Sequence, residues 1–315
     1  MEINIGTVIS KVIQLLFILV VGIYARKRNF IDKTFIRTLS KVLSNITNPL
    51  LIISSFQILY SAELLKTGLL ILSASLAMHI FSAVIAYFCF KPKKGDPKNV
   101  VYEFDTIFGN CAFMGFPVLM AIYGDKNGVV YGSFYTAIFN IMFWSYGIYI
   151  LTRHKREGKS GGVDVKKLIF NPGVIFTIVA FILFVAQIKI PEAILGGMEM
   201  VGHSTFPLAM IIIGGLVAEL DLKTAFRDIK LYICAFLKLI VIPLVALAGC
   251  ILAGAPHIVT YVAVILAAMP SATFGAIFAE LYDVDSVSSA KVVCITTIMS
   301  IITIPLIIYL TGLII

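Results

Sequence analysis

Two short stretches of the sequence combine residues that break a helix with residues that can hold a ligand. GNCAFMGFPVLMAIYG occupies 109–124, and MPSATFG occupies 269–275. Their prolines, Pro117 and Pro270, each lack a backbone donor and clash with the carbonyl four residues earlier, so we expect a helix to break at each. The half-helix that starts there presents free N–H groups and about half a positive charge, which favour an anion.

The neutral polar side chains of these stretches suit such a site. Asn110, Ser271 and Thr273 supply donors and acceptors that would orient a carboxylate. The half-helices that begin at about Pro117 and Pro270 lie in spans of opposite direction, so their N-termini would face one another. The sequence therefore predicts an anion site without a fixed cation. The alternative is that both prolines only kink packed helices.

The elements that carry these stretches are membrane spans. The 315 residues are 60% hydrophobic and 13% charged, with a mean hydropathy of +1.01, far from the composition of a soluble domain. Runs of about 20 apolar residues can cross a bilayer, and the chain has ten of them. The expected fold is an all-α polytopic membrane protein in which spans four and nine are broken and cross. The runs are 5–25, 35–58, 66–90, 100–124, 129–151, 168–187, 203–219, 229–253, 258–281 and 287–312.

The distribution of positive charge sets the expected orientation. Of the 25 lysines and arginines, all but Lys11, Lys66, Lys126, Lys189 and Lys238 fall on alternate connections. This is the positive-inside pattern, which predicts a multi-pass cell-membrane protein with both termini extracytoplasmic. The net charge of +8 therefore indicates topology and contact with anionic lipid of the bilayer, and no nucleic-acid partner is expected.

An internal repeat is expected to organise the spans. The domains predicted are an N-terminal five-helix repeat, 1–151, a short cytoplasmic linker, 152–167, and an inverted C-terminal five-helix repeat, 168–315. A shared TxPL pattern at 47–50 and 205–208 supports the match between the repeats, as do the two prolines of the broken spans. Interrupted spans in corresponding positions of two halves are the best pointer in a sequence to a transporter's substrate site.

Ionisable residues inside spans are candidates for coupling. His79, at the centre of span three, either moves a proton or is a neutral side chain bonded between helices. Asp105 is expected at a solvated helix start, from which it could reach a cavity. Lys11 and Gln14, nearly one turn apart on span one, either face the outer interface or form a polar cluster in place of a bound cation.

Other polar residues and motifs narrow the function further. Asn48 and Asn140 are expected to line the substrate cavity, or else to bond between helices.

The five cysteines form no CxxC pair, so neither a disulfide framework nor a metal site is expected. Phosphate loops and hydrolase motifs are missing, so an enzyme and a cofactor are not expected. GxxxG-like spacing leaves the oligomeric state open, a homodimer included.

Several runs together resemble the auxin efflux carrier family, including its bacterial malate-permease-like members. The runs are GNCAFMGFPVL (109–119), STFPLAMIIIGGLVAEL (204–220), AAMPSATFGAIFAELYDVDSVSSAKVVCITTIMSIITIPL (267–306), FNPGVI (170–175) and TNPLL (47–51). The resemblance implies two inverted five-helix repeats and a mobile crossover domain that moves against a scaffold of spans one, two, six and seven. It also implies Pro117 and Pro270 at the crossing, with Asn110 facing the substrate.

The expected function is secondary transport of a small organic anion, a carboxylate such as malate or an auxin-like acid, by alternating access. One alternative is a sodium-coupled organic anion symporter, because bile acid sodium symporters are related to this family. Another is a membrane receptor that binds a carboxylate without moving it. The linker of about 16 residues is far shorter than the long cytoplasmic loop of the plant carriers, so regulation through that loop is not expected.

Overall fold

The computed structural model describes residues 5–91, 97–153, 172–218, 228–282 and 284–315. Within those residues it forms sixteen α-helices and no strand. The first eight are α1 (Ile5–Lys27), α2 (Lys33–Val42), α3 (Asn48–Ser55), α4 (Ala62–Cys89), α5 (Pro97–Ile107), α6 (Phe116–Tyr123), α7 (Asp125–Met142) and α8 (Ile148–Thr152). The others are α9 (Pro172–Val185), α10 (Glu192–His203), α11 (Thr205–Ala218), α12 (Ile229–Phe236), α13 (Ile242–Leu252), α14 (His257–Ala267), α15 (Phe274–Leu281) and α16 (Ser286–Ile314).

Six stretches of the described chain are long and apolar enough to cross a membrane, which confirms a multi-pass helical protein. The four other predicted spans, 35–58, 100–124, 168–187 and 258–281, are shorter or divided helices. Span seven begins earlier than predicted, at Glu192, because α10 leads directly into α11. Most of the predicted linker lies outside the described residues. The six stretches are Ile9–Lys27, Ala62–Cys89, Asp125–Thr152, Glu192–Ala218, Ile229–Leu252 and Ser286–Ile314.

Within the described residues, four π-helical turns interrupt the helices, and three of these turns end two residues before a proline. A helical proline clashes with the carbonyl four residues earlier, and in these three cases that carbonyl lies inside the wider π turn. The helix therefore continues through the proline. The turns are Leu43–Thr47 before Pro49, Cys111–Gly115 before Pro117, Leu237–Val241 before Pro243, and Phe143–Gly147.

Close helix packing joins α1, near the N-terminus, to α11 in the second half of the sequence. Helices α1 and α11 approach until a methyl group at Gly214 would strike the Leu19 carbonyl, and one at Gly22 would lie 2.5 Å from the Ile211 carbonyl oxygen. Small residues allow this approach, as is common between membrane helices. The matching TxPL segments also touch, because the buried Thr205 hydroxyl bonds to the Thr47 hydroxyl over 2.7 Å.

Polar contacts fix one end of the bundle, where α5 and α12 begin and α8 ends. The Tyr102 hydroxyl donates to Asp228 Oδ2 over 2.7 Å, which links α5 to the start of α12. Burial opposes ionisation of Asp228, but this bond, the Lys230 backbone N–H and nearby lysines hold the pKa of its carboxyl below the ordinary value. Arg153 forms a bidentate ion pair with the buried carboxylate of Glu103.

Candidate functional site

The two interrupted spans meet and pair with each other. The chain between α5 and the π turn Cys111–Gly115 lies antiparallel to the chain between α14 and α15, with Gly109 opposite Ser271. The Asn110 N–H donates to the Pro270 carbonyl over 2.7 Å, and the Ala272 N–H donates to the Phe108 carbonyl over 2.9 Å. Each break therefore provides hydrogen-bond partners for backbone groups of the other break. Non-helical chain inside a membrane requires such partners, because water is not there to supply them.

The positions of the breaks differ from the prediction in both halves. The first break is at Gly109 and Asn110, and the following half-helix begins as a π turn at Cys111 instead of at Pro117. Pro117 lies at the second position of α6, where its missing donor costs little. The second break contains Pro270, but its half-helix begins at Phe274.

The predicted polar residues lie together at this crossing. Asn110, Ser271 and Thr273 are all buried, and the Asn110 amide donates to the Thr273 hydroxyl over 3.3 Å. The Ser271 hydroxyl donates to the Asp105 carbonyl over 2.7 Å, and the Ser271 N–H donates to the Thr296 hydroxyl over 3.1 Å. Several backbone amides that were expected to bind an anion are thus already bonded to protein.

A buried lysine lies at the crossing, where the sequence had predicted no cationic side chain. Lys238 is 2% exposed, and its ammonium lies so near Gly109 that a methyl group there would be 2.8 Å from Nζ. Among the described residues, the ammonium has no hydrogen bond and no ion pair. Sequence reasoning did not assign Lys238 to the site. The signal that could have found it is its position inside an apolar span, because ionisable residues within membrane spans are rare and usually functional.

The Lys238 side chain faces a cavity between α4, the first break and α14. The cavity has a volume of about 10 Å³, which is room for about one water molecule, and both polar and apolar groups line it. A buried cation without a counter-charge is costly, so we expect this lysine to be charged only with an anion beside it, and an organic anion would need the cavity to widen. The lining residues are Met78, His79, Ser82, Ile107, Gly109, Cys111, Tyr135, Lys238, Ile242 and Ala267.

His79 shares this cavity and has a fixed ring orientation. Its Nδ1 donates to the Ser75 carbonyl over 2.8 Å, and the Ser75 hydroxyl donates to the Tyr135 carbonyl over 2.8 Å. The ring of Tyr135 lies 5.6 Å from the imidazole, centroid to centroid. In the neutral ring, Nε2 is therefore the acceptor. His79 therefore bonds within α4 beside the cavity, and the bond between helices here is that of Ser75 with Tyr135.

Asp105 does not lie at a solvated helix start, so that expectation was wrong. Helix α5 begins at Pro97, eight residues before Asp105, and the Asp105 side chain is 0% exposed. Burial follows from the crossing itself, because the second break packs over this part of α5 through the Ser271 hydroxyl. The crossing therefore contains a second buried ionisable residue, Asp105, in addition to Lys238. Hydropathy did not predict its burial.

The other predicted residues lie apart from the cavity. Asn48 is half-buried on α3, and its side-chain oxygen has no hydrogen-bond partner among the described residues. Asn140 is half-buried on α7 and does not line the cavity. Lys11 is half-buried on α1, and the exposed Gln14 amide bonds to Ser10 over 3.4 Å. Within the described chain, no group of three or more His, Cys, Asp or Glu could hold a metal ion.

Comparison with known proteins identifies the family. Residues 7–308 match the family described as membrane transport protein. The chain belongs to this family. The match confirms the resemblance to the auxin efflux carriers, because they are part of the same family.

Two archaeal members of comparable length are similar over nearly the whole chain. An uncharacterised transporter of Methanothermobacter thermautotrophicus is 27% identical over 305 residues, which cover 94% of this chain and 95% of the relative. An uncharacterised transporter of Methanocaldococcus jannaschii is 27% identical over 308 residues, which cover 94% and 96%.

Proposed function

We propose that this membrane transport family member is a secondary transporter that moves a small organic anion, such as malate or an auxin-like acid, across the cell membrane. Transport would proceed by alternating access around the crossing of the two broken spans. The buried Lys238 amine at the crossing carries this proposal, because an anion bound beside it would stabilise the charged form of the amine. Ten spans in two inverted repeats, 1–151 and 168–315, with both termini outside, complete the proposed arrangement.

The residues at the crossing would have separate roles. One carboxylate oxygen of the substrate would bind the Lys238 ammonium in a charge-assisted contact. Asn110 and Thr273, which now bond to each other, would orient the carboxylate. His79 Nε2 would meet a hydroxyl of the substrate, since it is an acceptor in the neutral ring. The paired breaks would hold these groups in place while the helices around them move.

Flux through purified protein in proteoliposomes tests this function. Radiolabelled malate should cross the membrane, and Asn110→Ala should reduce the initial flux by about tenfold through the loss of a hydrogen bond to a charged group. Asn127→Ala, on the exposed first turn of α7, is the matched control and should transport like the wild type.

Two other outcomes would favour the alternatives. Malate binding without flux would indicate a receptor. Flux that stops when choline replaces sodium would indicate a sodium-coupled symporter. Unaltered flux in Asn110→Ala would remove this residue from the site.

A further inference from the structure

Asp105 is a buried carboxyl that the proposed anion site does not use. It lies on α5, where the Ser289 hydroxyl lies near its carboxyl but no well-formed hydrogen bond to either oxygen is found among the described residues. Gly275 of α15 makes room for it, because a methyl group at that glycine would strike Asp105 Oδ1. The same methyl group would lie 3.1 Å from the Ser289 hydroxyl of α16, which also lacks a partner among those residues.

Among the described residues Asp105 has no ion-pair partner, although the Cys234 thiol lies near both Asp105 and the Lys238 amine. Cys234 of α12 faces it with a thiol, whereas α15 and α16 face it with Gly275 and Ser289. Arg153 is paired with Glu103, and no ion pair reaches Asp105 from the described residues. An ionised carboxylate without donors is very costly in such a place.

We infer that Asp105 is a proton-binding site that couples the transport of the anion to the movement of a proton. A proton removes the charge without further ligands, and the resulting hydroxyl can donate to the Ser289 oxygen. A metal cation would instead need several oxygen ligands. Beside this carboxyl lie the Ser289 hydroxyl and the Cys234 thiol, and the described residues contain no group of three or more His, Cys, Asp or Glu, so a proton fits better than a metal cation.

The position of Asp105 links its protonation to the crossing. Its carbonyl accepts a hydrogen bond from Ser271 in the second break, and its carboxyl lies against Gly275 at the start of α15. Movement of α15 away from α5 would uncover the carboxyl and allow the proton to leave. Return to the buried arrangement would require a proton again. The coupling, though not the proton site itself, rests on the proposed function.

Infrared difference spectroscopy tests the proton site without any substrate. At pH 7, wild-type protein minus Asp105→Asn should show the carbonyl band of a protonated carboxylic acid. Asp125→Asn, at the exposed start of α7, should remove only bands of an ionised carboxylate. The isosteric amide mimics the neutral acid, so Asp105→Asn should unfold at a temperature no lower than wild type. Two results would overturn the proton site. One is that Asp105→Asn removes only bands of an ionised carboxylate. The other is that the acid band of the wild type disappears when sodium is added.

Transport under a pH gradient tests the coupling. With the membrane voltage clamped, a gradient of one pH unit should give about tenfold accumulation of radiolabelled malate across wild-type proteoliposomes if one proton moves per malate. Asp105→Asn should still equilibrate malate but lose the accumulation, whereas Asp125→Asn should keep it. Accumulation in Asp105→Asn equal to wild type would refute the coupling. Failure of every variant to move malate would refute the proposed function and leave the infrared result to decide the proton site.

Discussion

At the residue scale, the crossing depends on a glycine that leaves room for a lysine. Gly109→Ala would place a methyl group 2.8 Å from Lys238 Nζ and 3.3 Å from the Met269 carbonyl oxygen. The flexible ammonium would move first, so we expect malate affinity to fall by about tenfold while the protein still folds. Equilibrium binding and the thermal unfolding midpoint check this.

Gly249→Ala is the control for that substitution. No atom lies within 4 Å of a methyl group at Gly249 in α13, and alanine favours a helix interior by about 0.5–1 kcal/mol over glycine. It should therefore bind malate like the wild type and be slightly more stable. Equal affinity in both alanine variants would mean that Gly109 does not position the ammonium.

The sequence predicted part of the site at this scale. Asn110, Ser271 and Thr273 could be found because they flank prolines in two matching spans, and the structure brings them together. Asp105 was a candidate for coupling but was expected to be solvated, and Lys238 was not assigned, because hydropathy gives the depth of a residue in the membrane but not which helix covers it. Their burial depends on contacts between residues more than 100 positions apart, such as that of Ser271 with Asp105.

At the scale of elements, the contact of α1 with α11 depends on backbone approach through Gly22 and Gly214. A methyl group at Gly214 would strike the Leu19 carbonyl. Either backbone could move away only at a cost in packing energy. Gly214→Ala should therefore destabilise the protein by about 1–3 kcal/mol, measured as a lower thermal unfolding midpoint. Gly197→Ala on α10, where no atom lies within 4 Å, should cause no such loss. Matching midpoints in the two variants would show that α1 and α11 can separate without cost.

The helices themselves were easier to predict than their interruptions. Apolar runs predicted the limits of α4 and α16 to within a few residues, because one uninterrupted hydrophobic stretch forms each of these helices. The break of span four was placed at Pro117, but the π turn before this proline absorbs the clash and the chain opens at Gly109 instead. Whether a proline breaks a helix depends on the turn before it, and that turn is set by packing.

At the scale of the whole molecule, alternating access requires the proposed scaffold to move against the crossover helices. The ion pair of Lys126 on α7 with Glu199 on α10, at 3.1 Å, connects these two groups of helices. In a variant that carries both Lys126→Cys and Glu199→Cys, a short bifunctional maleimide should abolish malate flux. Either single variant treated in the same way should keep it. Persistent flux in the cross-linked protein would argue against movement between α7 and α10.

The sequence also predicted the class of the whole molecule, since composition and charge asymmetry are properties of the entire chain. Ten spans in inverted repeats remain a proposal, because six stretches of the described chain meet the length and hydropathy of a membrane helix. The bond between Thr47 and Thr205 brings the two TxPL segments into contact.

Malate binding to a variant that lacks the Lys238 amine tests the proposed anion site most directly. Lys238→Met keeps the length and apolar stem of the side chain, and Lys41→Met, at an exposed position on α2, is the matched control. We expect Lys238→Met to bind malate about 30-fold more weakly or worse, since truncating a buried charge partner costs about 2 kcal/mol or more. The control should match the wild type. Wild-type affinity in Lys238→Met would contradict an anion site at the crossing.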